Sequence, residues 1–267
     1  MSNYALIAQV VCVCILVLLF IYVVKKYPIK PSVRSMVIAA LLTCLAVALN
    51  AISISFGELF KISFVYLPLI LAGVVLSPGY AYLVGFCMDM IGLIITPTSF
   101  PFFGFTLNHV LASTIPALYY QSARELDPKK VIPYINCILI VFALIGSFFI
   151  GFLNKASING DVVVIDNTMK MLGITALIVL CLILVFIIRI TSKKVNNEQA
   201  YELGNWMLIV VAVEVAINLI LTPLWLDVMY GMPWLVSMFL RIVKACVMIP
   251  LNILIGYSLV KLLRRFK

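Results

Sequence analysis

The stretch TPLWLDVMYGMPWLVSMFLRIVKACVMIP, Thr222 to Pro250, places Arg241 and Lys244 inside a long apolar run. A charge in such a run is costly unless it faces a protein interior, a cavity or a counter-charge. The rest of the chain shows which setting applies. Its 267 residues are 65% hydrophobic and 11% charged, with mean hydropathy +1.21. A water-soluble domain is nearer half apolar and a quarter charged. One soluble core cannot hide this much apolar surface. The composition predicts an all-α, polytopic membrane bundle, because spanning helices need about 20 mostly apolar residues each.

Nine apolar segments are expected, at about 5–24, 36–54, 63–76, 79–96, 103–121, 131–153, 169–190, 206–226 and 234–260. They read as about nine transmembrane helices. The third is short enough to be tilted or kinked. The first, ending in Lys25-Lys26, reads as a spanning helix rather than a signal peptide, since no basic segment precedes it. No Ser- or Gly-rich linker divides the chain.

The net charge of +9 suits a membrane protein's basic loops and points to no nucleic acid. Fourteen of the nineteen cations fall in connections that would share one side, including Lys25, Lys26, Lys30, Arg34, Lys129, Lys130, Lys193 and Lys194. Three, Lys61, Lys155 and Lys170, fall on the other, and the last two are Arg241 and Lys244. The positive-inside bias predicts an external N-terminus and a cytoplasmic C-terminus. The seven cysteines lie in apolar runs without a CxxC, so they read as packing residues rather than disulfides or metal ligands.

The external connections differ in character. The stretch 154–168 is polar and is expected to be a solvated loop. ISFGELFKISFVYLP, ITPTSFPFFGFTLNH and PLWLDVMYGMPWL are aromatic and proline-rich, and read as ordered caps.

Arg241 and Lys244 share a helix face with Met248 and Asn252, while Glu214, Asn218, Thr222 and Trp225 line a face of the preceding segment. By helical rise, Glu214 would reach nearly the depth of Lys244 and could pair with it. Asp89 is a second possible partner, and Arg241 has no evident internal anion. Two readings follow: a structural ion network, or an anion site in which Arg241 holds a carboxylate bidentately and Lys244 adds charge. Trp225, Tyr230, Trp234, Phe100, Phe102, Phe103 and Phe105 either cover a flat ring or form an interfacial belt. His109 reads as a satisfied histidine between helices, with a proton relay as the alternative. Ala40 and Cys44, four apart, allow close approach of another helix, within this chain or in a partner.

LFKISFVYLPLILAGVVLSPGYAYLVGFCMDMIGLIITP, FPFFGFTLNHVL and INLILTPLWLDVMYGMPWLVSMFLRIVKACVMIP together resemble the substrate-binding S components of energy-coupling-factor (ECF) vitamin transporters, in their folate-type branch. The matching features are the aromatic segment opening the family's fourth helix and an N-x-x-x-T-x-x-W-L, Y-G, R-x-x-K series. The resemblance covers about 36–121 and 206–263. It implies a six-helix core with both termini cytoplasmic, capture of folate or a related anionic vitamin from outside, and a bacterial plasma membrane. It implies as partners a transmembrane scaffold subunit and two cytoplasmic ATPases, where ATP is bound; no cofactor is implied for this chain. Substrate-site positions would be Arg241, Lys244, Trp225, Tyr230, Phe103, Phe105, Asn108, Asn218 and Lys61. The scaffold-contacting small pair falls on Ala40 and Cys44, with cysteine replacing the family's second alanine. Phe103-Gly104 stands where the family has Pro-Gly. Residues 1–35, an added first helix and basic loop, and an inserted helical hairpin at about 131–190 are extra.

Other classes fare less well. No catalytic dyad stands at motif spacing, and GxxxxGK[ST] is absent, so no enzyme is expected. An S component for pantothenate or another pterin, and a self-sufficient secondary transporter with Asp89 and Glu214 as proton sites, stay open.

Overall fold

The computed structural model describes residues 3–56, 60–95, 101–122, 128–152, 155–158, 161–164, 166–193, 197–232 and 234–264. Every apolar segment expected from the sequence becomes helix. In chain order these are α1 (Asn3–Lys26), α2 (Val33–Ala51), α3 (Tyr66–Val75), α4 (Pro78–Ile95), α5 (Phe103–Ser122), α6 (Pro128–Phe152), α7 (Asn167–Lys193), α8 (Asn197–Val213), α9 (Thr222–Tyr230) and α10 (Trp234–Arg264). A π-helical segment, Glu214–Leu221, joins α8 to α9 without a break. Among the described residues, four helical stretches are long and apolar enough to cross a membrane: Tyr4–Lys26, Val33–Ala51, Pro78–Ile95 and Glu202–Tyr230. The chain is a multi-pass membrane protein with a helical-bundle fold.

Two connections hold short antiparallel hairpins. β1 (Ile54–Phe56) pairs with β2 (Phe60–Ile62), with Ser55 opposite Lys61. β3 (Lys155–Ile158) pairs with β4 (Asp161–Val164). The second lies within the polar connection 154–168, where three consecutive valines favour extended backbone. The short third segment is a helix of ten residues. At about 1.5 Å per residue that is roughly half of a hydrocarbon core about 30 Å thick.

The chain forms two compact units. Met1–Arg124 and Leu254–Lys267 make one, and Glu125–Ile253 the other. In the first, α4 and α5 pack closely, α3 lies against α5, α2 against α4, and α1 against α4 and α5. Glycines permit this. A Cβ at Gly73 would collide with the Ser113 carbonyl and the Pro116 ring, and one at Gly85 would stand 2.6 Å from the His109 carbonyl oxygen. α1 buries Ala5, Cys12, Leu16 and Val23, one stripe of its surface, and exposes Leu6, Ile7, Val10, Val11 and Leu18. That division suits a helix with one face on protein and the rest in lipid. In the second unit α6 packs on α7 and α8. The short turn after α9 uses Gly231 at φ 64°, whose N–H caps the Asp227 carbonyl at 2.9 Å. Glycine takes this left-handed position without strain.

Candidate functional site

The first unit carries a polar cluster between α4 and α5. Thr106 donates from Oγ1 to Asp89 Oδ2 at 2.6 Å, and His109 Nδ1 lies 2.8 Å from Asp89 Oδ1. Both carboxylate oxygens are thus engaged from one neighbouring helix. The three side chains meet because Thr106 and His109 are three apart on α5, opposite Asp89. The Tyr66 ring of α3 lies 6.0 Å from the imidazole, centroid to centroid. His109 is therefore a satisfied histidine between helices, as its isolation in sequence suggests.

At the start of α5, Phe102 and Phe105 make an edge-on pair 5.9 Å apart. Phe102 is buried, Phe103 and Phe105 are half-buried, and Asn108 is buried one turn further on. Gln9 of α1 donates to the Pro101 carbonyl at 3.1 Å and accepts from the Phe103 N–H at 3.2 Å. No sequence signal singled out Gln9, although a lone amide in an apolar helix is itself unusual.

The second unit carries the cations. Arg241 and Lys244 are 9% and 8% exposed, on a face of α10 that also buries Ser237, Met248 and Asn252. Arg241 Nε lies 3.5 Å from Ser237 Oγ one turn earlier. Facing residues come from the π segment. Asn218 donates to Glu214 Oε2, and Asn252 Nδ2 donates to Glu214 Oε1 at 3.1 Å. The carboxylate dictates the Asn252 amide orientation, since a flipped amide would oppose two oxygens. Asn252 Oδ1 is accordingly a buried acceptor with no hydrogen-bond donor among the described residues. Trp206, fully buried, donates from its indole to the Asn252 carbonyl at 3.2 Å.

This geometry revises two sequence expectations. Glu214 is hydrogen-bonded to two amides, while Lys244 and then Arg241 act on it through space. The level of Glu214 also shifts. The short turn at Gly231 makes the π-α9 helix and α10 run antiparallel, and Glu214 meets Asn252. Trp225 is eleven residues beyond Glu214 and Arg241 eleven before Asn252. Equal counts at a similar rise bring Trp225 level with Arg241, and Thr222 level with Lys244. Glu214 itself lies about 12 Å deeper than Lys244 by that rise, near enough to couple by charge.

The π segment explains how the polar stripe is presented. Pro223 has no N–H and its ring would strike the carbonyl four residues back in a regular helix. The i to i+5 pattern relieves this: the Thr222 backbone N–H and hydroxyl both bond the Ile217 carbonyl, the latter at 2.7 Å. Such bulges recur at functional sites. Pro223 inside an apolar run was the available signal.

The expected site residues divide between the units. Arg241, Lys244, Trp225, Tyr230 and Asn218 lie in the second, Phe103, Phe105 and Asn108 in the first. Lys61 is in β2 and Trp234 opens α10, but their side chains, and Phe100 entirely, lie outside the described residues. Ala40 and Cys44 are exposed on α2 beside Met36, Val37 and Leu41. No group of His, Cys, Asp and Glu converges as a metal site among the described residues.

No known family profile matches the sequence, and no curated protein sequence does either. A solved structure does: FolT bound with folic acid is similar over 87% of this chain and 97% of its own, at 20% identity and a TM-score of 0.50. At that identity the likeness is one of architecture, and the chain shares the fold of FolT.

Proposed function

We propose that this chain is the substrate-capture subunit of an ATP-driven vitamin importer, an S component taking folate or a related anionic vitamin. The observation that carries the reading is the buried Arg241–Lys244 pair, level with Trp225 and Thr222, in a chain with the fold of a folate-binding protein. The stripe holds the two cations together with the Glu214 carboxylate. A buried guanidinium beside an ammonium suits one anionic group, and guanidinium meets carboxylate in a planar fork. Trp225 and Tyr230, half-buried and exposed, supply faces for a flat ring within the second unit.

The charge bias supports an outward-facing capture site: the basic loops would be cytoplasmic, with an external N-terminus and a bacterial plasma-membrane setting. The exposed small pair Ala40 and Cys44 suits contact with a transmembrane scaffold subunit. Two cytoplasmic ATPases would then bind the ATP. The extra first helix and the hairpin of α6 and α7 lie outside the six-helix core in this reading.

Folate binding to the purified chain, measured by calorimetry beside Arg241→Ala, tests the proposal. Tight binding lost in the variant supports it. No binding by the wild type moves the substrate to pantothenate or another pterin, which a competition panel separates. Uptake into vesicles holding this chain alone, driven by an ion gradient, would replace the S component with a self-sufficient transporter.

A further inference from the structure

α1 does more than fill space beside α4 and α5. Its buried stripe runs through Ala5, Cys12, Leu16 and Val23, and Gln9 lies on that stripe between Ala5 and Cys12. Lower on the stripe, Tyr82 of α4 donates its hydroxyl to the Leu16 carbonyl at 3.1 Å, and its ring lies 5.2 Å from Phe20. α1 is thus pinned at mid-length, with Gln9 about two turns nearer its N-terminal end.

There Gln9 meets the approach to α5. Phe103 is the first residue of that helix, so its N–H has no intrahelical acceptor. The Gln9 carboxamide supplies one, and its Nε2 takes the Pro101 carbonyl. One amide side chain reads both backbone groups that flank Phe102, as a neighbouring strand would. Within the segment one further backbone bond, Phe105 N–H to Phe102 carbonyl at 3.1 Å, closes the turn. The Phe103 bond is partly buried, where an unmet backbone donor costs more than in water, so this clamp sets where the turn sits.

We infer that Gln9 is a positioning residue: α1 fixes the aromatic turn Pro101–Phe105 from a different helix, and the turn's hold on the vitamin depends on it. The inference rests on the folate reading for its ligand, but not for its structural half.

Two variants test it, Gln9→Leu and Gln9→Glu. Gln9→Leu removes both bonds at similar length. Hydrogen exchange of the Phe103 amide in the ligand-free chain should then speed at least about tenfold, since the clamp is its acceptor. Folate dissociation should accelerate by about tenfold, the order expected for two lost hydrogen bonds, with association little changed. The melting temperature should hold, because α1 keeps its Leu16 and Phe20 contacts. Gln9→Glu keeps an acceptor for Phe103 but loses the donor to Pro101. It should restore the amide's protection and leave dissociation fast. Unchanged exchange in Gln9→Leu overturns the clamp. Faster exchange with unchanged dissociation overturns the link to the ligand. A wild-type chain that binds no folate sinks the functional reading alone, and the ligand-free exchange still decides whether Gln9 holds the turn.

Discussion

Asp89 and Glu214 are both buried carboxylates in apolar helices, and their surroundings differ in kind. Asp89 is held by a hydroxyl and an imidazole, both from α5. Glu214 is held by two neutral amides, one from its own turn and one from α10, with two cations acting from further away. The first arrangement ties two helices together. The second shares its stripe with two buried cations, Arg241 and Lys244. A buried polar group that ties helices and one that tunes a site look alike in sequence. They separate once the partners are counted.

The comparison can be broken at the crossing that brings Asp89 to His109. Gly85→Val would drive side-chain atoms into the His109 and Val110 backbone, which has little room to yield. A loss of about 3 kcal/mol or more, or no folded protein, is expected, as read by melting in detergent. A variant that melts like the wild type would mean the helices can part cheaply.

Arg241→Ala comes next. It should weaken folate binding by about 2–3 kcal/mol, the range for a hydrogen bond to a charged group, or roughly 30- to 150-fold in Kd. Calorimetry measures it, and an unchanged Kd would remove Arg241 from the site.

Asp89→Asn should act on stability instead. About 1–2 kcal/mol is expected, since one acceptor becomes a donor facing Thr106 or His109, while the folate Kd stays within about twofold. A large affinity loss here would erase the distinction between the two carboxylates. Glu214→Gln should produce the smallest change and the opposite sign. With the competing carboxylate neutralised, the cations are freer to hold an anion, and affinity should rise by a few-fold, under about 1 kcal/mol. Weaker binding would show that Glu214 serves the ligand directly.

Much of the helical framework was legible beforehand. Segments at 5–24 and 103–121 correspond to α1 and α5 within a few residues, because apolar run length and proline position are local properties. The cation pair and its polar stripe were legible for the same reason: helical spacing places them on one face. The Glu214–Asn252 bond was not, since it joins residues thirty-eight apart whose register depends on a π segment. The Gln9 clamp, across ninety-two and ninety-four residues, was further out of reach. So was the Asp89–His109 contact, which needs Gly85 to bring α4 and α5 together.

The sequence by itself determined that the chain lives in a membrane as a bundle of helices, and which faces carry charge. Hydrophobic run length and the 3.6-residue period leave no other outcome. Only the tertiary structure decided what each buried charge meets. In a bundle, partner choice follows from helix register and depth, set by where small residues permit close approach and where a proline shifts the turn.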